Sequence, residues 1–332
     1  MPATTAVRLA VTEHALGAYV IAAEFLAGRP AFALGDGTVR LDQGGTLTTV
    51  RTHPTALLAA ALSQDGGTLY AGGDDGRLVA VHPDGTAEDR ASVGRIWIDQ
   101  VAAGPNGAIG FAGGRNAWVI RPDGTLKTFA HPRSVGGVAF APKGLRLAVA
   151  RYDGATLWWA GTEAPAQQLE WKGMHAGITW SPDGKYLVTA MQENALHGWR
   201  VADGRHMRMT GYPTKVRSLS WSPKGRYLAS AGANAAVLWP FHYKDGPMGR
   251  PPLELGYRDV FATRVACHPE DDVVAIGYID GAIDVARIED AAVVRLREPD
   301  GAPLSALAWD ADGGRLAFGG EGGAAGVIDL AG

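Results

Sequence analysis

The 332 residues are 46% hydrophobic and 20% charged, a balance that excludes disordered and fibrous chains. A formal net charge of −3 argues against a dedicated nucleic-acid binder. The single cysteine, Cys267, excludes an intrachain disulfide and a cysteine-rich zinc site.

At the N-terminus, residues 1–10 lack the basic start and apolar core of a secretory signal. The apolar run 15–26 is interrupted by Glu24 and is too short to span a bilayer. The expectation is a soluble cytoplasmic protein. Residues 5–12 contain the short apolar run Val7-Arg8-Leu9-Ala10-Val11, which reads as a strand.

From there the chain repeats. The first unit is worn, with Phe25 as its anchor, a hairpin across 32–39 and a turn at Gln43-Gly44-Gly45-Thr46. Seven phrases of the type aromatic-Ser-Pro-Asp-Gly follow, beginning at Leu62, Ala103, Phe140, Trp180, Trp221, Cys267 and Trp309. The steps between them are 41, 37, 40, 41, 46 and 42 residues, the spacing of four-stranded propeller blades. Trp180-Ser181-Pro182-Asp183-Gly184 is the clearest copy. Its Pro presets φ and its Gly accepts positive φ, so the phrase is a turn. A short apolar or alternating strand precedes each turn, and two more follow it. The reading is all-β: one domain over 1–332, a closed propeller of eight blades with seven as the alternative. Residues 5–12 would supply the closing strand of the last blade.

This pattern resembles the WD40-repeat family. The resemblance implies a buried hydrogen-bonded set in each blade: a His before the first strand, a Ser or Thr on the second, an Asp in the turn and a Trp on the third. Here those places fall to His53 and Asp75 in blade two and to His131, Asp153 and Trp159 in blade four. Thr189 and Trp199 match in blade five, and Ser230 and Trp239 in blade six. No blade carries the whole set. Hydrophobic packing between blades must then hold more of the ring. The richness in Ala, Gly and Arg points to a bacterial source.

Chemistry is harder to find. The sequence has no Gly-x-Ser-x-Gly elbow and no phosphate loop, and its paired glycines sit at turns. No catalytic residue, metal or cofactor is expected. His175 with Asp99 or Glu193 is the metal set that an alternative reading would use, with a small molecule, a metal or an active site at the mouth of the central channel. Cys267, in an apolar strand, reads as a structural thiol.

The leading expectation is a non-catalytic scaffold that binds a partner protein. In the family the start of each first strand and the turn after the second reach one top face. Offsets from the anchors place Tyr19, Trp97, Asp99, Arg115, Tyr152, Met174, Lys215, Arg217 and Phe261 there, with Ile21, Asp74, Ala176, Gln192, Thr263 and Ile279 beside them. Aromatic and Arg residues are favoured at binding hot spots. The plainer alternative is that Trp97 and Phe261 plug the channel or pack between blades. The long segment 239–252 is a second candidate contact. Nucleic-acid binding through Lys215, Arg217 and Arg115 is the weakest reading. The chain is expected to be monomeric, without a membrane partner, and its protein partner is not identified.

Overall fold

A computed structural model describes residues 10–330. Its regular structure is all strand apart from one 3-10 turn at Pro105–Gly107. The repeated phrases make the turns as their chemistry requires. In the fifth repeat the Ser181 hydroxyl donates to Asp183 Oδ1 at 2.7 Å and accepts the Tyr186 N–H at 2.9 Å. Gly184 closes that turn with φ +72.

The strands form antiparallel sheets around a ring. Six sheets have four strands each, beginning with Val20–Leu26, Arg29–Leu34, Thr38–Asp42 and Leu47–Arg51. The expectation of eight separate blades is corrected: there are seven hydrogen-bonded sheets, the alternative count. The reason lies in the fourth and fifth repeats, which share one six-stranded sheet. Arg146–Trp159 and Gln167–Trp180 are both 14-residue strands. The first half of Arg146–Trp159 pairs with Val135–Phe140, and residues 154–157 pair with 167–170. The chain turns between these halves at Asp153 and Gly154, both with positive φ. The second half of Gln167–Trp180 then pairs with Tyr186–Met191, so no break separates the two repeats.

The last sheet takes the strand Ala10–Ala15, which pairs antiparallel with Ala324–Asp329. Of the expected strand 5–12, residues 10–12 take part in this pairing, and residues 5–9 lie outside the described region. Among the described residues no strand ladder joins the first sheet to the last. Those two meet by packing of Val20, Phe25, Phe32 and Leu34 with Ala306, Ala317 and Ala325.

Two recurring devices hold neighbouring repeats together. First, the anchor tryptophans reach back to the repeat before them. Trp180 Nε1–H donates to the Ala139 carbonyl at 3.2 Å, Trp221 Nε1–H to the Thr179 hydroxyl at 3.1 Å, and Trp309 Nε1–H to the Ala266 carbonyl at 3.0 Å. Second, a β-bulge recurs in the innermost strands. The ladder slips at Val20/Ala22, Leu57/Ala59, Val135/Gly137, His175/Gly177, Ala262/Arg264 and Leu304/Ala306. The skipped residue lies four places before the anchor each time, and it is released from the ladder. Where it carries a hydroxyl, it bonds the next repeat: Thr263 Oγ1–H to the Leu304 carbonyl at 2.8 Å, and Ser305 Oγ–H to the Val20 carbonyl at 2.7 Å. Cys267 is half-buried. Its thiol meets the Ser220 carbonyl at 3.4 Å, and burial pushes its pKa up to about 12.

Candidate binding face

The hydrogen-bonded set expected inside each blade is made in part in the sixth and fifth repeats and broken in others. In the sixth, Trp239 Nε1–H donates to Tyr212 Oη at 2.6 Å. Tyr212 Oη lies 2.6 Å from Ser230 Oγ, and Ser230 Oγ–H donates to the Val237 carbonyl at 3.0 Å. Tyr212 stands nine residues before its anchor, the offset held by His53 and His131, so a tyrosine does the work of the missing histidine. In the fifth repeat, His175 Nε2–H donates to the Trp171 carbonyl at 3.0 Å, and Nδ1 lies 2.7 Å from the Thr189 hydroxyl, which also has the His197 carbonyl in reach at 3.1 Å. Burial lowers its pKa, which fits a neutral ring. Both nitrogens are engaged, so His175 is withdrawn from the metal set considered with Asp99 or Glu193.

In the second repeat His53 Nδ1 meets Asp75 Oδ1 at 3.0 Å and Asp75 Oδ2 faces Arg77 Nη1 at 3.5 Å, but His53 Nε2 is buried without a hydrogen-bond partner. The residue at the place of Thr189 and Ser230 is Ala71, which has no hydroxyl. The fourth repeat departs further, and two expectations there are corrected. Trp159 is 42% exposed, and its neighbour Trp158 takes the inner place. The Ala160 N–H bonds the Leu145 carbonyl as the Val201 N–H bonds Lys185 and the Phe241 N–H bonds Arg226, which aligns Trp158 with Trp199 and Trp239. Asp153 accepts from the Gly173 N–H at 3.2 Å and makes no hydrogen bond with His131.

The face residues divide into two groups. A cavity of about 480 Å³ brings together Lys215, Arg217, Phe261, Thr263 and Ile279 with Arg264 and Glu321. Tyr19 does not line this cavity, although it acts on the Arg264 guanidinium. Arg264 Nε–H donates to the Ser305 carbonyl at 2.6 Å and Nη1–H to the Thr263 carbonyl at 2.9 Å. Burial pulls its pKa below the usual arginine range and Arg217 adds to this, while Tyr19 and Glu321 act against it. The side chains of Lys215 and Arg217 are exposed and make no ion pair or hydrogen bond among the described residues.

Arg264 was missed in the sequence for a definite reason. Alternation along a strand places 261 and 263 on one side and 264 on the other. The bulge at Ala262/Arg264 breaks that alternation. The recurrence of the anchor phrase is the signal that could have found it, because the same slip occurs four places before the anchor in six repeats.

The other predicted residues lie elsewhere. Trp97 is 62% exposed, and Asp99 and Arg115 are exposed; none of the three lines this cavity. Partial desolvation by its neighbours raises the Asp99 pKa although the residue reaches solvent. Met174 is half-buried, its side chain against Gly136. Tyr152 is exposed beside the Arg133 guanidinium and borders a second cavity, of about 940 Å³. Within the segment 239–252, Trp239 and Phe241 are buried, and Phe241 packs against Tyr186 and Trp221. Tyr243, under Arg250, stays exposed.

Comparison with known proteins agrees with this architecture. Residues 205–239 match the family model described as "WD domain, G-beta repeat". The match begins in the outer strand of the fifth repeat and ends on Trp239 of the sixth. Telomerase protein component 1 of Mus musculus is 26% identical over 188 residues, 54% of this chain and 7% of that protein. Protein HIR1 of Yarrowia lipolytica is 26% identical over 158 residues, 46% of this chain and 13% of that protein. The chain thus spans a small part of either relative. Both are eukaryotic, which gives no support to a bacterial source. The crystal structure of the computationally designed Ika8 protein superposes with a TM-score of 0.77 at 19% identity, over 94% of this chain and 96% of that one. That likeness concerns the fold alone.

Proposed function

We propose that this WD40-repeat β-propeller is a non-catalytic scaffold that holds a partner protein on its top face, centred on the cavity around Arg217 and Phe261. The observation that carries the reading is the pairing of exposed cations with apolar surface. Lys215 and Arg217 are exposed and form no ion pair among the described residues, Glu321 lines the same cavity, and Phe261 and Ile279 stand beside them. A partner segment that combines an acidic side chain with an apolar one would satisfy both halves. The closed ring fixes these side chains on separate rigid strands, which reduces the entropy lost on binding.

Tyr19, Trp97, Asp99, Arg115, Tyr152 and Met174 belong to the outer part of the same face in this reading. They would tune partner choice more than affinity, because binding energy concentrates in a few central residues. No described helix is long and apolar enough to cross a membrane, and a cytoplasmic monomer is part of the proposal.

The test is affinity capture with the full chain against an Arg217→Ala/Phe261→Ala variant and a Trp97→Ala variant, each first shown to melt as the parent does. The expected result is a partner lost by about tenfold or more in the double variant and by less in Trp97→Ala. Equal recovery by all three chains would remove this face from the proposal. A catalytic or small-molecule reading of the channel mouth would gain instead if a purified low-mass ligand displaced the partner.

A further inference from the structure

The second cavity lies where the fourth repeat has lost its hydrogen-bonded set. Val149 stands at the place of Thr189 and Ser230, so no hydroxyl is available to the histidine. His131 is 7% exposed, and its Nε2 is buried without a partner; Trp158 Nε1–H is also unpartnered. The two rings meet edge to face, with centroids 5.9 Å apart. Both residues border the cavity of about 940 Å³. Orphaned polar groups of this kind cost on the order of 1–3 kcal/mol each, so their persistence calls for an explanation.

Arg151 forms part of the same wall and is 8% exposed. Its guanidinium donates only to neutral acceptors: Thr156 Oγ1 at 3.0 Å, the carbonyls of Tyr152 at 2.9 Å and Asp153 at 3.1 Å, and Gln168 Oε1 at 2.9 Å. No carboxylate lies within ion-pair distance of it among the described residues. A buried cation without a counter-ion is costly. The rim carries both signs, with Arg133 and Lys172 against Asp153 and Glu170. Trp171 and Tyr152 add aromatic surface, and Trp171 is held in place by stacking on His197 at 4.1 Å.

We infer that this cavity is a binding site for a small aromatic oxyanion, its carboxylate or phosphate set on Arg151 and its ring against Trp158 and Trp171. The ligand supplies the counter-charge that Arg151 lacks. The volume falls within the range of small-molecule sites, roughly 300–1,000 Å³. This site is separate from the Arg217 and Phe261 cavity and stands or falls independently of it.

The test is calorimetric titration of the full chain with phenyl phosphate, benzoate and inorganic phosphate. Parent, Arg151→Gln and Trp158→Phe chains are compared, with near-ultraviolet circular dichroism as the check on folding. Saturable binding of phenyl phosphate, of benzoate, or of both is expected, and the preferred one identifies the anionic group. Inorganic phosphate should bind at least about tenfold more weakly, since it lacks the ring. Arg151→Gln should weaken binding by about tenfold or more, and Trp158→Phe by about three- to tenfold. No saturable binding of either aromatic anion up to about 10 mM would overturn the inference. Unchanged affinity in Trp158→Phe would also overturn it, and that variant decides the matter if Arg151→Gln fails to fold. Inorganic phosphate binding as tightly as phenyl phosphate would refute the aromatic part.

Discussion

The sixth and fourth repeats share one strand plan and differ in what they do with their buried polar groups. In the sixth, Trp239, Tyr212 and Ser230 pass a hydrogen bond from ring to hydroxyl to hydroxyl and end on a carbonyl, with every step between 2.6 and 3.0 Å. In the fourth, Trp158, Val149 and His131 occupy the same three places, and neither ring nitrogen finds a partner. Two hydroxyls, those of Tyr212 and Ser230, separate a closed relay from two orphaned groups. The three residues of the closed relay are buried, whereas the broken one borders an open cavity. Loss of a structural element in one repeat is therefore where a new site can arise, because neighbouring blades still hold the ring.

The largest expected effect comes from the ring side chains themselves. Trp199 is fully buried in the core of the fifth repeat, and Trp199→Ala should cost about 3–5 kcal/mol in chemical denaturation. Trp158→Ala, beside a cavity that already exists, should cost clearly less. Equal losses would mean that the fourth repeat is packed as tightly as the fifth.

Acid should separate the histidines next. Burial pushes the His197 pKa down to about 3, with His175 adding to it, and burial with Arg151 pushes His131 down to about 4, both from 6.5. Below pH 6.5 the unfolded chain takes up protons that these folded side chains refuse. Their contribution to stability is thus full above pH 6.5 and is lost as pH falls towards 4 and 3. His131→Phe should remove up to about 2–3 kcal/mol of the stability change between pH 7 and pH 4, read from denaturation curves at each pH. An unchanged pH profile would show that His131 is already solvated.

The relay offers the sharper pair. Ser230→Ala should cost about 1–3 kcal/mol, since it strands the Tyr212 hydroxyl in the core. Val149→Thr, which restores one hydroxyl near His131, should have the smallest effect and the opposite sign, a gain of about 0.5–1 kcal/mol in thermal unfolding. Destabilisation by Val149→Thr would show that one hydroxyl does not repair the fourth repeat.

Much of this was legible in the residues because turn chemistry is local. The anchor phrase, its spacing and its Gly at positive φ needed no tertiary information, and they gave the all-β ring. The polar sets of the fifth and sixth repeats were partly legible for the same reason, through Thr189, Trp199, Ser230 and Trp239. Tyr212 was passed over because it is not a histidine, although it keeps the histidine's offset. The exchange of Trp158 for Trp159 was not readable either. Two adjacent tryptophans on a strand face opposite sides, and the tight turn at Asp153 and Gly154 decides which one points inward.

Sequence alone thus determined the repeat, its turns and the residue types offered to the face. Tertiary structure decided which of them meet. It gathered Lys215, Arg217 and Phe261 with Arg264 around one cavity and left Trp97, Asp99 and Arg115 outside it. It also joined the fourth and fifth repeats into one sheet, giving seven hydrogen-bonded sheets rather than eight. The physical reason is that a bulge or a continuous strand depends on how neighbouring strands pair. Pairing across residues some forty apart leaves no mark in a local pattern.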